Sequence, residues 1–264
     1  MRRSPVLVLG FACLFCVATD AASAPDSVLS AGIGINVAGD RTDTAITEFG
    51  RFNIDKGPFG VVGFNSFGRP SPFIEAVVDI DAPAGTPLVS AGSSGLLDYF
   101  VQIVSPISMT MGVAIDVNGA VTGTASASSF DATYSLESSW ALYESATSGV
   151  QLARDILRTD LRTGTLHDSF SRTVVVNLET NHVYRVTLVA SARADARAGH
   201  DVEAVAWIDP VFSFVPGVDL SLVSFDFSDG IGNSPVPLPS SLALLGSGLL
   251  AAGRSMRRSR AGRR

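Results

Sequence analysis

Cysteine is almost absent from this sequence. The only two among 264 residues, Cys13 and Cys16, lie within an apolar stretch near the N-terminus. From residue 24 onward the chain has no thiol, so it cannot depend on disulfide bonds or use cysteine chemistry. The residues before each cysteine, Gly10-Phe11-Ala12 and Cys13-Leu14-Phe15, match a lipoprotein-processing site poorly. Lipoprotein processing is therefore the less favoured interpretation of the two cysteines.

Basic residues are also scarce between the two ends of the chain. The segment 24–236 holds 11 basic and 24 acidic residues, a formal charge of −13, whereas the charge of the whole chain is −6. Binding to nucleic acid needs clustered Lys and Arg side chains against the phosphates. This acidic, lysine-poor segment therefore argues against a nucleic-acid partner, and it suits a protein that stays soluble outside the cell.

Catalytic motifs are missing as well. The three histidines, His167, His182 and His200, do not follow a metal-ligand spacing such as His-x-x-x-His. No Gly-x-Ser-x-Gly nucleophile motif occurs in the segment 24–236. We interpret each histidine as a surface or turn residue, predict no catalytic residues, and expect the protein not to be an enzyme.

Acidic turns are the only candidates for a metal site. Three short segments place oxygen ligands beside a glycine: Asn53/Asp55/Gly57, Asp116/Asn118/Gly119 and Asp226/Asp229/Gly230. None continues to the distal glutamate of an EF-hand loop, and Asp, Asn and Gly are ordinary turn residues. The sequence therefore predicts no cofactor and no defined metal site, and it leaves a structural Ca²⁺ open as an alternative.

The N-terminus has the three parts of a secretory signal peptide. Arg2 and Arg3 precede an apolar core, Val6 to Ala18, and small residues follow at 21–24. A cut after Ala24 would leave Pro25 next to the cleaved bond. We therefore expect signal peptidase to cut after Ala21 or Ser23 and assign residues 1–23 to the signal peptide.

Apolar and polar residues alternate along most of the segment 24–228. From Tyr184 to Ala198 the even positions are apolar and the odd positions mainly polar, which is typical of a half-buried strand. Phe130–Leu142 repeats this alternation, with Trp140 on the apolar side, whereas Trp207 has the opposite parity to its apolar neighbours. The pattern predicts an all-β antiparallel sandwich, of jelly-roll type, as a single secreted domain.

Two local signals refine this prediction. Asn118-Gly119, between two apolar runs, is a dipeptide that favours a two-residue hairpin turn. Val150 to Leu161 places Leu152, Ile156, Leu157 and Leu161 near one helical face. This segment is the only hint of a helix in the body, and a bulged strand is the alternative.

The C-terminus consists of a proline-bearing motif, an apolar stretch and a basic tail. Val236-Pro237-Leu238-Pro239 lies in a linker at 229–241, and an apolar helix is expected at 242–253. The tail 254–264 has arginines that favour the cytoplasmic side of a membrane: Arg254, Arg257, Arg258, Arg260, Arg263 and Arg264. Twelve residues are short against the roughly 20 of a transmembrane helix, which suggests a removable segment rather than a permanent anchor.

Other sorting signals share this layout but fit less well. A sortase signal needs a Thr-Gly pair, whereas Leu238-Pro239 is followed by Ser240-Ser241. A GPI signal normally ends with its apolar tail, and here arginines follow it.

In this motif, apolar stretch and basic tail, the chain resembles the PEP-CTERM sorting-signal family of Gram-negative bacteria, in its Val-Pro-Leu-Pro variant. The resemblance covers about the last thirty residues. Leu238 stands where the commonest motif of the family has Glu, and Ser240 where the variant usually has Ala. The resemblance implies a substrate of exosortase, a membrane enzyme that cuts at the motif, often in bacteria that make extracellular polysaccharide.

Together these signals predict an exported protein without catalytic activity. It would pass through an inner-membrane intermediate, meet signal peptidase and exosortase, and act at the cell surface or in the extracellular matrix, such as a biofilm. A carbohydrate-binding sandwich, with extracellular polysaccharide as partner and with or without structural calcium, is the alternative. A secreted hydrolase is the third interpretation.

Overall fold

The computed structural model describes residues 24–48, 50–56, 61–68, 72–85, 87–126, 131–197 and 199–233. Thirteen β-strands and no helix occur in these ranges. The strands are β1 (Val28–Val37), β2 (Asp40–Ile46), β3 (Gly50–Lys56), β4 (Val61–Gly68), β5 (Phe73–Asp81), β6 (Val89–Val104), β7 (Thr110–Ala125), β8 (Ala132–Tyr143), β9 (Gln151–Arg162), β10 (Thr165–Glu179), β11 (Val183–Ala196), β12 (Asp201–Phe214) and β13 (Ser224–Phe227).

The strands form two antiparallel sheets that pack face to face. Sheet A has the order β2-β1-β6-β11-β8-β9, and sheet B has the order β10-β7-β12-β5-β4-β3. β13 joins sheet A by pairing with the last residues of β6, Val101 to Val104, beyond the part of β6 that pairs with β1. From β5 to β12 the chain alternates between the sheets at every step except the β8–β9 hairpin. The predicted all-β antiparallel class is therefore confirmed.

The buried core lies between the sheets and follows the alternation seen in the sequence. In β11 the side chains of Val186, Leu188 and Ala190 are fully buried, while the odd positions between them are half-buried. In β8 the even positions are buried as well, with Trp140 1% exposed, but the odd positions Thr133, Ser139 and Ala141 are also buried. Trp207 points to the other face of its strand, as its parity predicts, yet it is buried there beside Phe73 and Ala120.

The predicted hairpin turn at Asn118-Gly119 is wrong, because both residues lie inside the continuous strand β7. Gly119 is required there by packing rather than by a turn. A Cβ atom on Gly119 would lie 2.7 Å from the Phe170 ring of β10 and 2.9 Å from the Ile208 side chain of β12. A glycine inside a strand often marks such a close approach.

The helical hint at 150–161 is also wrong, since Gln151–Arg162 forms strand β9. Among the described strands, β9 lies at the edge of sheet A and pairs only with β8, with register shifts near both ends of the pairing. The alternative of a bulged strand is therefore the correct one. An edge strand with Leu152, Ile156 and Leu161 exposed lacks clean alternation, which explains the ambiguous pattern.

The two ends of the sandwich are named here by the ends of β6. At the Val104 end lie the loops 105–109, 144–150, 180–182 and 215–223. At the Val89 end lie the loop before β6, the turn between β9 and β10, and the first residues of β12.

Candidate functional site

The predicted processing sites adjoin the described residues in the sequence but are not among them. The motif Val236-Pro237-Leu238-Pro239, the six tail arginines, the apolar segment 242–253, and Ala21 and Ser23 are all outside the described residues. The description of the body starts at Ala24 and stops at Asn233. What the structure shows beside these sites is therefore how hydrogen bonds hold the chain at Ala24 and at Asn233.

The chain after β13 remains bonded to sheet A. Ser228 is fully buried; its N–H donates to the Phe100 carbonyl at 3.0 Å, and its Oγ accepts from the Phe100 N–H at 2.8 Å. Ile231, which is 7% exposed, joins the core, and its N–H donates to the Ser228 carbonyl at 2.9 Å. The first part of the predicted linker is thus packed on the body.

Asn233, the last described residue, is hydrogen-bonded to sheet B. Its Oδ1 accepts from the Phe212 N–H at 2.7 Å, and its Nδ2 donates to the Phe212 carbonyl at 2.5 Å. One side chain therefore pairs with both backbone groups of one residue, as a neighbouring strand would. Phe212 lies beyond Ile208, the last residue of β12 that pairs with β5.

An aromatic cluster joins β12 to β13 beneath this point. The rings of Phe214 and Phe225 stack with centroids 4.1 Å apart and planes 5° from parallel. Phe212 meets Phe225 and Phe227 edge-on, at 6.1 and 5.8 Å. Because β12 belongs to sheet B and β13 to sheet A, these rings connect the two sheets close to the last described residue.

The N-terminal residue of the described body lies at the same place. The Ala24 N–H donates to Asp226 Oδ2 at 3.5 Å, and Asp226 is the third residue of β13. Both ends of the body therefore meet around β13. Sequence reasoning missed this juxtaposition, because no local pattern links Ala24, Asp226 and Asn233.

A shallow trough crosses the outer face of sheet A and forms a second candidate site. Gly32 of β1, Gly92 and Ser94 of β6, and Ser191 of β11 line a depression of about 510 Å³. Small side chains on three adjacent strands leave this space open. Charged groups of both signs border it, among them the ion pair Arg41–Asp43, whose Nε and Oδ2 atoms are 2.6 Å apart, and Arg193.

The three histidines lie apart from one another. His167 is exposed on β10, with Nδ1 3.0 Å from Thr122 Oγ1. His182 Nε2 is 2.6 Å from the Glu144 carbonyl oxygen, and the imidazole meets the Tyr184 ring edge-on. His200, in the loop before β12, donates its backbone N–H to the Arg197 carbonyl at 3.1 Å. The geometry does not bring these residues together.

The acidic segments singled out in the sequence are also scattered. Asn53 and Asp55 lie on β3, and Gly57 is outside the described residues. Asp116 lies on β7, where Oδ1 accepts a hydrogen bond from Thr173 Oγ1 at 2.5 Å. Asp226 accepts from Ala24. In the described part of the chain, no three His, Cys, Asp or Glu side chains are grouped so that they could hold a metal ion.

Carboxylates do crowd together at the Val89 end, on the outer face of sheet B. Asp201 of β12 pairs with Asp81 of β5, and Glu203 pairs with Asp79. Desolvation and the carboxylates of Asp81 and Asp201 raise the pKa of Asp79. Desolvation and Asp81 raise the pKa of Asp201, and desolvation and Asp79 raise that of Glu203. Like charges directly opposite each other on neighbouring strands destabilise a sheet.

No helix in the described residues is long and apolar enough to span a bilayer. The predicted segment 242–253 lies outside those residues.

Comparisons with known proteins leave the family open. No protein-family model matches the chain, and no curated protein matches it. A solved structure of infectious bursal disease virus, Gx strain, is 10% identical with a TM-score of 0.23, over 80% of this chain and 63% of that one. A VP2 subviral particle of the same virus is 9% identical with a TM-score of 0.16, over 88% and 75%. The chain thus spans less than two thirds of the first of these proteins, and TM-scores this low support no conclusion about function.

Proposed function

We propose that this protein is an exported surface or extracellular-matrix component, without catalytic activity of its own, whose C-terminal segment is removed by exosortase at Val236–Pro239. Signal peptidase cuts after Ala21 or Ser23. The tail 254–264 and the segment 242–253 hold the intermediate in the inner membrane until exosortase acts. The body then reaches the cell surface or the medium as a jelly-roll sandwich. The alternation of β5 to β12 between two sheets supports that fold.

One observation carries the proposal. Asn233, three residues before Val236, is hydrogen-bonded to Phe212, and Ala24, one residue after Ser23, is hydrogen-bonded to Asp226. A protease needs its substrate segment extended and free of the folded domain. In the sequence, both predicted cleavage sites therefore lie within three residues of a contact to the folded body, and cutting at either site leaves every described contact intact.

The test is the mass of the exported protein in two matched hosts, one with a cognate exosortase and one without. We expect the host with exosortase to yield a protein that ends near Pro239, and the other host to keep the full C-terminus in its membrane fraction. Changing Pro237 and Pro239 to Ala should block the cut, whereas the same change at Pro216, in the loop before β13, should not. A C-terminus that includes residues 242–264 in both hosts would contradict the proposal.

A second candidate function, binding of carbohydrate, is favoured by the trough on sheet A. Glycine and serine on β1, β6 and β11 leave an open surface that exposes polar groups and Arg193 to a ligand. Ser191→Trp would fill the trough, and Thr165→Trp, on an exposed position of β10, is the matched control. A glycan array that shows binding by the wild type and the control, but not by Ser191→Trp, would support this function. Absence of binding by the wild type would rule out carbohydrate binding as the function.

A further inference from the structure

We propose that the Val104 end of the sandwich contacts the lipid surface while the C-terminal segment still holds the chain in the membrane. This inference rests on the proposed membrane-held intermediate and adds an orientation and a lipid partner to it. The contact is made by exposed aliphatic side chains on the loops 105–109 and 215–223. The Val89 end then points away from the membrane.

The position of Asn233 restricts which end of the sandwich can face the membrane. Asn233 is bonded to Phe212, two residues before β12 ends at Phe214. From Asn233 to Leu242 the chain has nine steps and reaches at most about 30 Å when fully extended. The distance along β6 from Val101 to Val89 is about 40 Å at the usual rise of a strand. The Val104 end is therefore the end that the segment 242–253 keeps close to the bilayer.

Aliphatic side chains are exposed at this same end. Ile107 is 55% exposed, Leu220 is 66% exposed and Leu222 is 44% exposed. Ile107 lies between β6 and β7, and the two leucines lie between β12 and β13. Since β13 pairs with the last residues of β6, starting at Ser224 opposite Val104, the two loops are neighbours. Their apolar side chains together form the surface that we assign to the lipid.

These loops are held in place by hydrogen bonds. Thr180 Oγ1 donates to the Ile107 carbonyl at 2.9 Å and accepts from the Met109 N–H at 2.9 Å. Asp219 Oδ1 accepts from the N–H and the Oγ of Ser221, at 3.0 and 2.7 Å. The exposed side chains therefore project from ordered loops, so contact with lipid does not require the loops to rearrange.

The charge of this end determines which lipid it suits. The four loops contain no Lys or Arg, and their carboxylates are Glu144 and Asp219. An anionic surface attracts basic residues and repels carboxylates. The contact is therefore apolar, and zwitterionic lipid suits it better than anionic lipid.

Single-cysteine probes test the orientation in the full chain, because residues 24–264 contain no cysteine. Cys13 and Cys16 are changed to Ser, and Leu220→Cys carries an environment-sensitive fluorophore. The matched probe is Leu88→Cys, which is 52% exposed in the free protein and lies at the Val89 end. Each protein is reconstituted into phosphatidylcholine vesicles whose acyl chains are brominated, and quenching of the probe is measured.

We expect several-fold stronger quenching of the probe at 220 than of the probe at 88. Changing Ile107 and Leu222 to Ser should reduce the quenching at 220, and replacing half of the lipid by phosphatidylglycerol should reduce it as well. Equal quenching at both positions in vesicle-bound protein would overturn the orientation and leave the sorting proposal standing. A chain that does not remain with the vesicles would overturn both.

Discussion

At the Val104 end, neutral side chains bond to the backbone of neighbouring loops, whereas at the Val89 end carboxylates face carboxylates across two strands. Asn181 illustrates the first arrangement: its Oδ1 accepts from the Ser105 N–H at 3.1 Å, and its Nδ2 donates to the Ser105 carbonyl at 2.8 Å. Asp201 and Asp81 illustrate the second, since they lie opposite each other on β12 and β5. The first end is fixed mainly by directional hydrogen bonds, and the second carries four carboxylates that face one another across β5 and β12.

This difference indicates which end of the sandwich suits a position next to the membrane. The two bonds between Asn233 and Phe212 join neutral groups and keep their strength at any pH in the physiological range, so the chain keeps a constant geometry at Asn233. Ala24 is held instead by the carboxylate of Asp226. Crowded carboxylates favour water or cations around them, and they resist burial against another surface. The Val104 end is therefore suited to the position next to a membrane, and the Val89 end to the exposed side.

The largest expected effect comes from the aromatic cluster at the Val104 end. Phe225→Ala removes the stacking partner of Phe214 and should lower the free energy of unfolding by about 3 kcal/mol. Phe225→Leu keeps most of the apolar contact and should cost less than about 1.5 kcal/mol. Urea unfolding of both variants measures the difference. If both lose less than about 0.5 kcal/mol, the cluster does not stabilise this end.

Asn181 tests the polar part of the same end. Its φ is 59°, a left-handed conformation that Asn and Gly tolerate better than Ala. Asn181→Ala loses both bonds to Ser105 and adds strain, so we expect a loss of about 2 kcal/mol. Asn181→Gly loses the bonds without the strain and should be the less destabilised of the two. Equal stability of both variants and the wild type, in thermal or urea unfolding, would contradict this account of the loop.

Asn233→Ala should have a smaller, local effect. It removes the two bonds to Phe212 and should cost about 1 kcal/mol. Hydrogen exchange at the Phe212 amide should become faster, while exchange at Val205 in the same strand should not change. Unaltered exchange at Phe212 would show that residues 229–233 do not hold the chain to the body.

The smallest expected effect lies at the Val89 end and has the opposite sign. The raised pKa of Asp201 means that its ionisation disfavours the folded state. The stability that the protonated carboxyl gives is fully present below the unfolded pKa and is lost as pH rises through the folded pKa. Asp201→Asn should therefore stabilise the protein by about 0.5 kcal/mol at pH 7. The gain should vanish near pH 4. A gain that is the same at both pH values, measured by urea unfolding, would remove the electrostatic explanation.

The strands could be predicted wherever one face is buried and the other is not. In β11 every even position from Tyr184 to Ala196 is buried, as the alternation indicates. β9 could not be predicted in this way, because its apolar residues occur on both faces: Leu152 and Ile156 are exposed, whereas Leu157 is half-buried. Asn118-Gly119 was misjudged because its local chemistry is that of a turn, whereas the contacts that decide it, Phe170 and Ile208, are distant in sequence.

The candidate site likewise has a part that the sequence predicts and a part that it does not. The motif Val236-Pro237-Leu238-Pro239 is contiguous, so the sequence alone suggests it. The docking of Asn233 depends on Phe212, and the position of Ala24 depends on Asp226, 202 residues away. Ile231 was the only local signal, since an isolated apolar residue in a glycine-rich stretch suggests packing rather than a free linker. Pairings between distant strands cannot be read from local patterns.

Hydrogen exchange of the full chain tests the contrast between the two ends most directly. After correction for intrinsic rates, the account predicts that Phe100, Phe212, Ser228 and Ile231 exchange slowly and with equal protection at pH 4 and pH 7. Asp79, Asp201 and Glu203 at the other end should lose protection between these pH values as their carboxylates ionise. Equal pH dependence at both ends, or faster exchange at Phe212 and Ser228 than at Asp201, would contradict it.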